Sequence, residues 1–92
     1  MIKSYRCKDI ERLSRGERVK RFEQVERVAV RKLRQLEIAA SLSDLRVPTG
    51  NMLEALVGDR ASWFSIRVNK QFRLCFRWEL DAAYDVELVD YH

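Results

Sequence analysis

The stretch that most constrains the fold is 63–78, WFSIRVNKQFRLCFRW, in which two runs of alternating apolar residues flank a short polar turn. Two such runs predict a β-hairpin. Because side chains alternate between the faces of a strand, the apolar sets of both runs share a face only if Val68 lies opposite Phe72. That register leaves a three-residue loop, 69–71, and predicts every other pair along the hairpin.

The second face of this hairpin is expected to be basic, because the register sets Arg67 directly opposite Arg73. The other pairs on this face are Trp63 with Arg77 and Ser65 with Cys75. Like charges that face each other destabilise a sheet, so a basic pair on a rigid hairpin indicates an anionic ligand, and phosphate best matches guanidinium geometry. A solvated face whose arginines splay apart is the alternative, since surface arginines need no partner.

Composition limits the class of protein without settling its ligand. Ninety-two residues with 47% hydrophobic content predict one small domain over residues 1–92. Eighteen Lys+Arg against fourteen Asp+Glu give a net charge of +4, which permits a polyanionic partner without requiring one. The two cysteines, Cys7 and Cys75, lack a metal-binding spacing and are expected to stay reduced. The sequence shows neither a leader nor a long apolar run, so a cytoplasmic protein without membrane contact is expected.

Hydrophobic periodicity predicts that the helices lie in the first half of the chain and that most of the strands follow them. Apolar residues spaced three and four apart from Phe22 to Ala40 form one stripe of a long helix, and Gly16 ends a shorter helix at 8–15. This order predicts a small α+β domain, a strand and then two helices, packed on a mostly antiparallel four- to five-stranded sheet. The predicted strands are 2–6, 52–57, 63–68, 72–78 and 84–91, with turns at 58–60 and 79–83.

Three proton-handling side chains close the sequence, Asp90, Tyr91 and His92. His92 is the only histidine, and histidine is the side chain that titrates near neutral pH. The apolar strand before them is expected to anchor these residues, although a frayed tail without a role is the common alternative. Strand parity puts Asp90 and His92 on one face and Tyr91 on the other, so all three converge only if the strand end bends.

Together with the arginine pair, this cluster fits RNA cleavage. RNA carries its own nucleophile, the 2′-hydroxyl, so a protein needs only to remove that proton, stabilise the charged phosphorane and protonate the leaving 5′-oxygen. These steps require no metal or other cofactor. Arg73, helped by Arg67, is expected to hold the phosphate. Asp90 or Tyr91 is expected near the 2′-hydroxyl, and His92 is expected to be the acid. The predicted RNA-binding residues are Arg60, Arg67, Lys70 and Arg77.

The sequence also resembles a known family over nearly its whole length. The segments that carry the resemblance are G-N-x-L-E at 50–54, G-D-R at 58–60, S-I-R-x-N-x-Q-x-R at 65–73 and D-Y-H at 90–92. They are similar to segments of HigB-type toxins of the RelE superfamily. The resemblance implies a ribosome-dependent mRNA endoribonuclease that enters the A site, with a HigA-like helix-turn-helix antitoxin as its partner. It also implies that Arg73 contacts the phosphate and that Asp90, Tyr91 and His92 carry the chemistry.

Two positions depart from the pattern of that family. Some relatives carry a basic residue where this chain has Val57, and some carry His where it has Glu54. These changes predict either weaker cleavage or a base role shifted to Glu54, which is then an auxiliary site residue. Two other classes of function stay open. One is a non-catalytic RNA- or ribosome-binding module that blocks translation, with Trp63 and Tyr91 stacking on bases, and the other is a protein-interaction domain.

Overall fold

Helices and strands occupy separate layers of this fold. The computed structural model describes residues 1–56 and 62–91. Within them, two α-helices pack on a four-stranded antiparallel sheet with strand order β1-β2-β3-β4. The elements are α1 (Lys8–Ser14), α2 (Glu26–Ile38), β1 (Glu54–Ala55), β2 (Trp63–Arg67), β3 (Phe72–Glu79) and β4 (Ala82–Asp90). The predicted fold class is therefore confirmed.

The hairpin at the centre of the sheet has the predicted register. Strands β2 and β3 pair with Ile66 opposite Leu74 and Arg67 opposite Arg73. The Val68 backbone N–H donates to the Phe72 carbonyl at 3.0 Å, which closes the three-residue loop. Both Ile66 and Leu74 are fully buried, so one face of the hairpin forms the sheet side of the core.

The apolar stripe of α2 packs against that buried face of the hairpin. Ala29, Leu33 and Leu36 are at most 3% exposed and belong to one buried cluster with the sheet residues. Fully burying such a leucine contributes roughly 1.5–3 kcal/mol. The predicted helix was too long at both ends, because a 3₁₀ turn, Lys20–Val25, precedes α2 and the helix ends at Ile38. Within the described ranges, no helix combines the length and apolarity needed to cross a bilayer.

The outer edge of β4 is covered by the N-terminal segment. The strand predicted at 2–6 is wrong in detail: Ile2 and Tyr5 form isolated parallel bridges to Ala83 and Val86 instead of a continuous ladder. Asp85, whose positive φ of 54° marks the bulge in β4, lies between the two bridged residues of that strand.

The turn predicted at 79–83 is tighter than expected. Leu80 and Asp81 both adopt positive φ, 50° and 61°, and link β3 directly to β4. A two-residue turn with this backbone matches the right-handed twist of the flanking strands, so both strands extend further than their apolar pattern indicates.

Strand β1 is much shorter than the predicted strand 52–57. Met52 has φ 46° and ψ 57°, a left-handed conformation that interrupts regular strand geometry and costs a non-glycine residue about 1–2 kcal/mol. Among the described residues, Glu54 and Ala55 pair with β2, and the Leu56 backbone N–H adds a bond to the Trp63 carbonyl at 2.9 Å. Val57 and the turn predicted at 58–60 lie outside the described residues.

Candidate functional site

The face of the sheet opposite the helices carries Arg73, whose environment differs from the prediction. An open, solvated position was expected, but only 9% of the residue is exposed. Its Nε donates to Ser65 Oγ at 2.8 Å, and its Nη2 donates to the carbonyls of Met52 at 2.6 Å and Ser65 at 3.3 Å. The backbone at Met52 therefore closes over this arginine and fixes its guanidinium in one orientation.

The third guanidinium nitrogen of Arg73 faces a side chain that water can reach. Its Nη1 lies 3.9 Å from Oε1 of Glu54, whose side chain is 56% exposed. An ion pair at this distance with one exposed partner contributes little stability, typically about 0–1 kcal/mol. An incoming anion can therefore replace the glutamate at Nη1 without disturbing the buried contacts of Nε and Nη2.

A basic groove begins beside this arginine. Arg67, directly across from Arg73, donates from Nε to the Asn69 carbonyl at 3.2 Å. An open groove of about 420 Å³ runs from there to α2. Four cationic side chains line it, those of Arg31, Lys32, Arg67 and Lys70. This concentration of positive charge next to an oriented guanidinium suits a polyanion such as an RNA backbone.

The end of β4 brings Tyr91 to the same face. The Tyr91 backbone N–H donates to the Gln71 carbonyl at 2.7 Å, while its hydroxyl reaches Cys75 Sγ at 3.7 Å. Because Gln71 and Cys75 flank Arg73 along β3, the tyrosine side chain passes the level of the guanidinium. Half of Tyr91 is exposed. A phenol beside an arginine can donate a hydrogen bond or a proton to a phosphate oxygen.

Asp90 is not brought to the face of Arg73. It lies opposite Phe72, which packs edge-on against Phe22 on the helix side of the sheet. Its Oδ2 accepts from Gln71 Nε2 at 3.0 Å, which ties the end of β4 to the hairpin loop. The predicted alternation of Asp90 and Tyr91 is thus confirmed, and these two side chains do not converge.

Arg77 lies at the far end of the hairpin, four residues and about 13 Å from Arg73 along β3. Its guanidinium pairs with Glu79 at 2.5 Å and Asp85 at 3.4 Å, and it lies over the Tyr84 ring. The hydrogen bond that Arg77 donates to Glu79 is the main reason that the pKa of Arg77 is raised. Two carboxylates thus neutralise its charge. The two other predicted site residues, Arg60 and His92, lie outside the described residues.

Sequence patterns missed the residues that hold Arg73 in place. Ser65 is fully buried and supplies both a hydroxyl and a carbonyl to the guanidinium. Its position diagonal to Arg73 follows from the hairpin register, so this contact could have been predicted from the sequence. The Met52 contact was not, because it depends on a left-handed residue 21 positions earlier in the chain.

Comparison with known proteins identifies the family. The model of the RelE-like toxin HigB of type II toxin–antitoxin systems matches residues 3–92. The chain belongs to the HigB-like toxin family. Within 54 residues it is 52% identical to Toxin HigB-1 of Vibrio cholerae serotype O1, a match covering 59% of this chain and 57% of that protein. An uncharacterized protein of Haemophilus influenzae is 42% identical over 53 residues, 58% of this chain and 52% of its own length.

These alignments span only about half the length of the two curated relatives. The structural comparison covers more of the chain. The YoeB–YefM complex from Staphylococcus aureus matches with a TM-score of 0.60 over 100% of this chain and 98% of the other. Sequence identity is 17%, so this match shows the fold alone. The family model confirms the prediction that this chain is a HigB-type toxin of the RelE superfamily.

Proposed function

We propose that this HigB-like toxin is a ribosome-dependent mRNA endoribonuclease that cuts mRNA in the ribosomal A site and so inhibits translation. The observation that carries the proposal is the orientation of Arg73. The Ser65 hydroxyl and the Met52 carbonyl hold its Nε and Nη2, while its Nη1 faces the exposed Glu54 carboxylate, on the face reached by the Tyr91 hydroxyl. A preorganised guanidinium of this kind stabilises negative charge that develops on a phosphorane.

The proposed reaction is an internal transfer within the RNA. A base removes the proton of the 2′-hydroxyl, the O2′–P bond forms, and the P–O5′ bond breaks as an acid protonates the departing oxygen. The products are a 2′,3′-cyclic phosphate and a 5′-hydroxyl. Arg73 holds the phosphate, Tyr91 hydrogen-bonds one of its oxygens, Glu54 is the nearby carboxylate that accepts the proton, and His92 is the acid. No metal is needed, because the guanidinium supplies the positive charge.

The remaining predicted residues support binding more than chemistry. Arg67 and Lys70 line the basic groove next to Arg73 and are proposed to hold the RNA backbone, together with Arg60. Such contacts weaken as salt rises, because binding releases counterions from the RNA. Arg77 would have to give up its two carboxylates to join them. Asp90 contributes by fixing the end of β4 through Gln71.

The experiment that tests this function maps mRNA 5′ ends on programmed ribosomes after addition of the protein. Cleavage at one position of the A-site codon, dependent on ribosomes and leaving 2′,3′-cyclic phosphate and 5′-hydroxyl ends, is the expected result. Stalled translation with intact mRNA would contradict the proposed nuclease activity. It would indicate instead a non-catalytic module that blocks the ribosome. Val57 stands where some relatives carry a basic residue, so the rate is expected to be low.

Glu54→Gln is expected to lower the single-turnover cleavage rate by about tenfold, the modest loss expected of an exposed and loosely held base. The amide keeps the shape of the side chain but cannot accept the 2′-hydroxyl proton. Single-turnover kinetics at saturating protein separate this loss from weaker binding. Glu37→Gln, which removes an exposed carboxylate from α2, is the matched control. An unchanged rate in Glu54→Gln would take the base role away from Glu54.

The proposed partner is a HigA-like helix-turn-helix antitoxin, and the ribosome places the activity in the cytoplasm. Arg27, Arg31 and Arg34 are exposed along one side of α2 and border an open groove of about 430 Å³. They form a docking surface for an acidic segment of the antitoxin.

Reversing Arg27, Arg31 and Arg34 to glutamate is expected to slow association with the antitoxin by about tenfold and to flatten its salt dependence. Association rates measured at several salt concentrations check this, and Arg46→Glu, an exposed change outside α2, is the control. Opposite charge reversals in the partner are expected to restore the rate. Unaltered rates and salt dependence in the triple variant would move the docking site to another face.

A further inference from the structure

The motif G-N-x-L-E contains a buried asparagine for which the proposed reaction has no use. Asn51 is 0% exposed, and its side-chain amide is bonded on both sides. Its Oδ1 accepts from Lys32 Nζ at 2.5 Å. Its Nδ2 donates to Gln35 Oε1 at 3.0 Å and to the Leu45 carbonyl at 3.1 Å. This one side chain therefore attaches the segment before β1 to two positions of α2.

The residue that follows, Met52, supplies the carbonyl that holds Arg73 Nη2 at 2.6 Å. Met52 is left-handed, and a non-glycine residue keeps that conformation only where its surroundings impose it. Its own side chain is half exposed, so Met52 contributes little packing of its own. Of its two neighbours in the chain, Leu53 is held by apolar packing against the core, and Asn51 is held by the hydrogen bonds of its amide. The Asn51 amide is therefore the polar anchor next to this carbonyl.

The anchor comes from the opposite side of the sheet. Lys32 and Gln35 belong to the helix layer, whereas Arg73 points to the other face. Only 7% of Lys32 is exposed, and burial, with a smaller effect from the Arg31 charge, lowers the pKa of Lys32. Burying an amine in this way is unfavourable unless a hydrogen bond offsets it, and Asn51 provides that bond.

We propose that Asn51, held by Lys32 and Gln35, is a positioning residue that fixes the Met52 carbonyl and through it the orientation of the Arg73 guanidinium. This inference rests on the proposed role of Arg73 at the phosphate. It gives the asparagine of the family motif a task that no contact with RNA requires. It also makes α2, on the far side of the sheet, part of the support of the site.

The direct test observes the guanidinium itself. In protein with ¹⁵N-labelled arginine, Arg73→Lys assigns the Arg73 side-chain signals. In the parent protein the Nη signals are expected to be resolved at low temperature, because Nη2 is held. Asn51→Ala should average them by rotation about the Nε–Cζ bond, and Gln35→Ala should do so in part. Ile10→Val, a change in the fully buried part of α1, is the control for general loosening and should leave them resolved.

Resolved and unshifted Arg73 signals in both folded variants would overturn the inference. Should Asn51→Ala fail to fold, Gln35→Ala decides alone, since it removes one partner of a side chain that keeps its contacts with Lys32 and Leu45. This measurement does not depend on cleavage. If the parent protein cuts no mRNA, the proposed function fails while the guanidinium spectra still decide the positioning role.

Cleavage kinetics supply the second test. Asn51→Ala is expected to lower the single-turnover rate by about tenfold, with the half-saturating protein concentration changed less than about twofold. In an Arg73→Ala background the same substitution should change the rate by less than about twofold, because residues that act through one group are not additive. An equal loss in both backgrounds would show that Asn51 acts on stability or elsewhere, and would overturn the inference.

Discussion

We expect Arg73→Ala to lower the single-turnover rate of the proposed mRNA cleavage on programmed ribosomes by about 10²-fold or more, the loss expected on removing one preorganised donor. The reason is that the guanidinium is already oriented before RNA binds, through Ser65 and Met52. The variant is also expected to lose stability, because the buried Ser65 loses its donor at a cost of roughly 1–3 kcal/mol. Melting curves measured beside the cleavage rates separate the two effects.

Arg73→Lys is the matched control for charge. Its single ammonium keeps the positive charge but cannot reproduce the fork that bonds Ser65 and Met52 while presenting Nη1 outward. We therefore expect a rate close to that of Arg73→Ala. Arg67→Ala, by contrast, is expected to raise the half-saturating protein concentration and reduce the salt slope. A folded Arg73→Ala protein that cleaves at the parent rate would remove Arg73 from the site.

Substituting alanine for all three of Asp90, Tyr91 and His92 is expected to abolish cleavage while ribosome binding persists. Positioned acids and bases contribute about 10²–10⁴-fold each, so loss of the acid and the phenol together leaves no measurable rate. Asp90 and Tyr91 are exposed, so little packing is lost and the melting temperature should change by only a few degrees. Co-sedimentation with ribosomes, a melting curve and mapping of mRNA ends measure the three properties on one protein.

Single substitutions divide the roles within this cluster. His92→Gln should remove the decline in rate that loss of the proton from a histidine acid produces as the pH rises. Tyr91→Phe should lower the rate without changing the shape of the pH profile near neutrality. Asp90→Asn should have the smallest effect, because Asp90 faces away from Arg73 and an amide still accepts from Gln71. Parent-rate cleavage by the triple variant would move the chemistry to Glu54, Asp59 and Arg60.

The hairpin could be predicted to the residue because strand parity leaves a single solution. Once Val68 is set opposite Phe72, the pairing of Arg67 with Arg73 follows. Strand alternation by itself puts Asp90 and Tyr91 on opposite faces. These statements need only alternation and one buried face. The sequence therefore predicted that Arg67 and Arg73 share a face, but not which of the C-terminal side chains reaches it.

The state of Arg73 could not be predicted in the same way. Its burial depends on the carbonyl of Met52, whose left-handed backbone carries no glycine to signal it. The burial of Lys32 could not be predicted either, because a lysine beside an apolar stripe is normally solvated. Each of these features arises from contacts between distant segments, where local propensity gives no information.

The covering of β4 by the N-terminal segment has a consequence for how the protein survives in a crowded cell. An uncovered nine-residue edge strand is a template on which other chains can add and aggregate. Bridges from Ile2 and Tyr5 occupy that edge. The opposite edge of the described sheet, β1, has two residues and offers a foreign strand too short a ladder. The protein can thus expose a polar working surface without exposing an edge that nucleates β-aggregates.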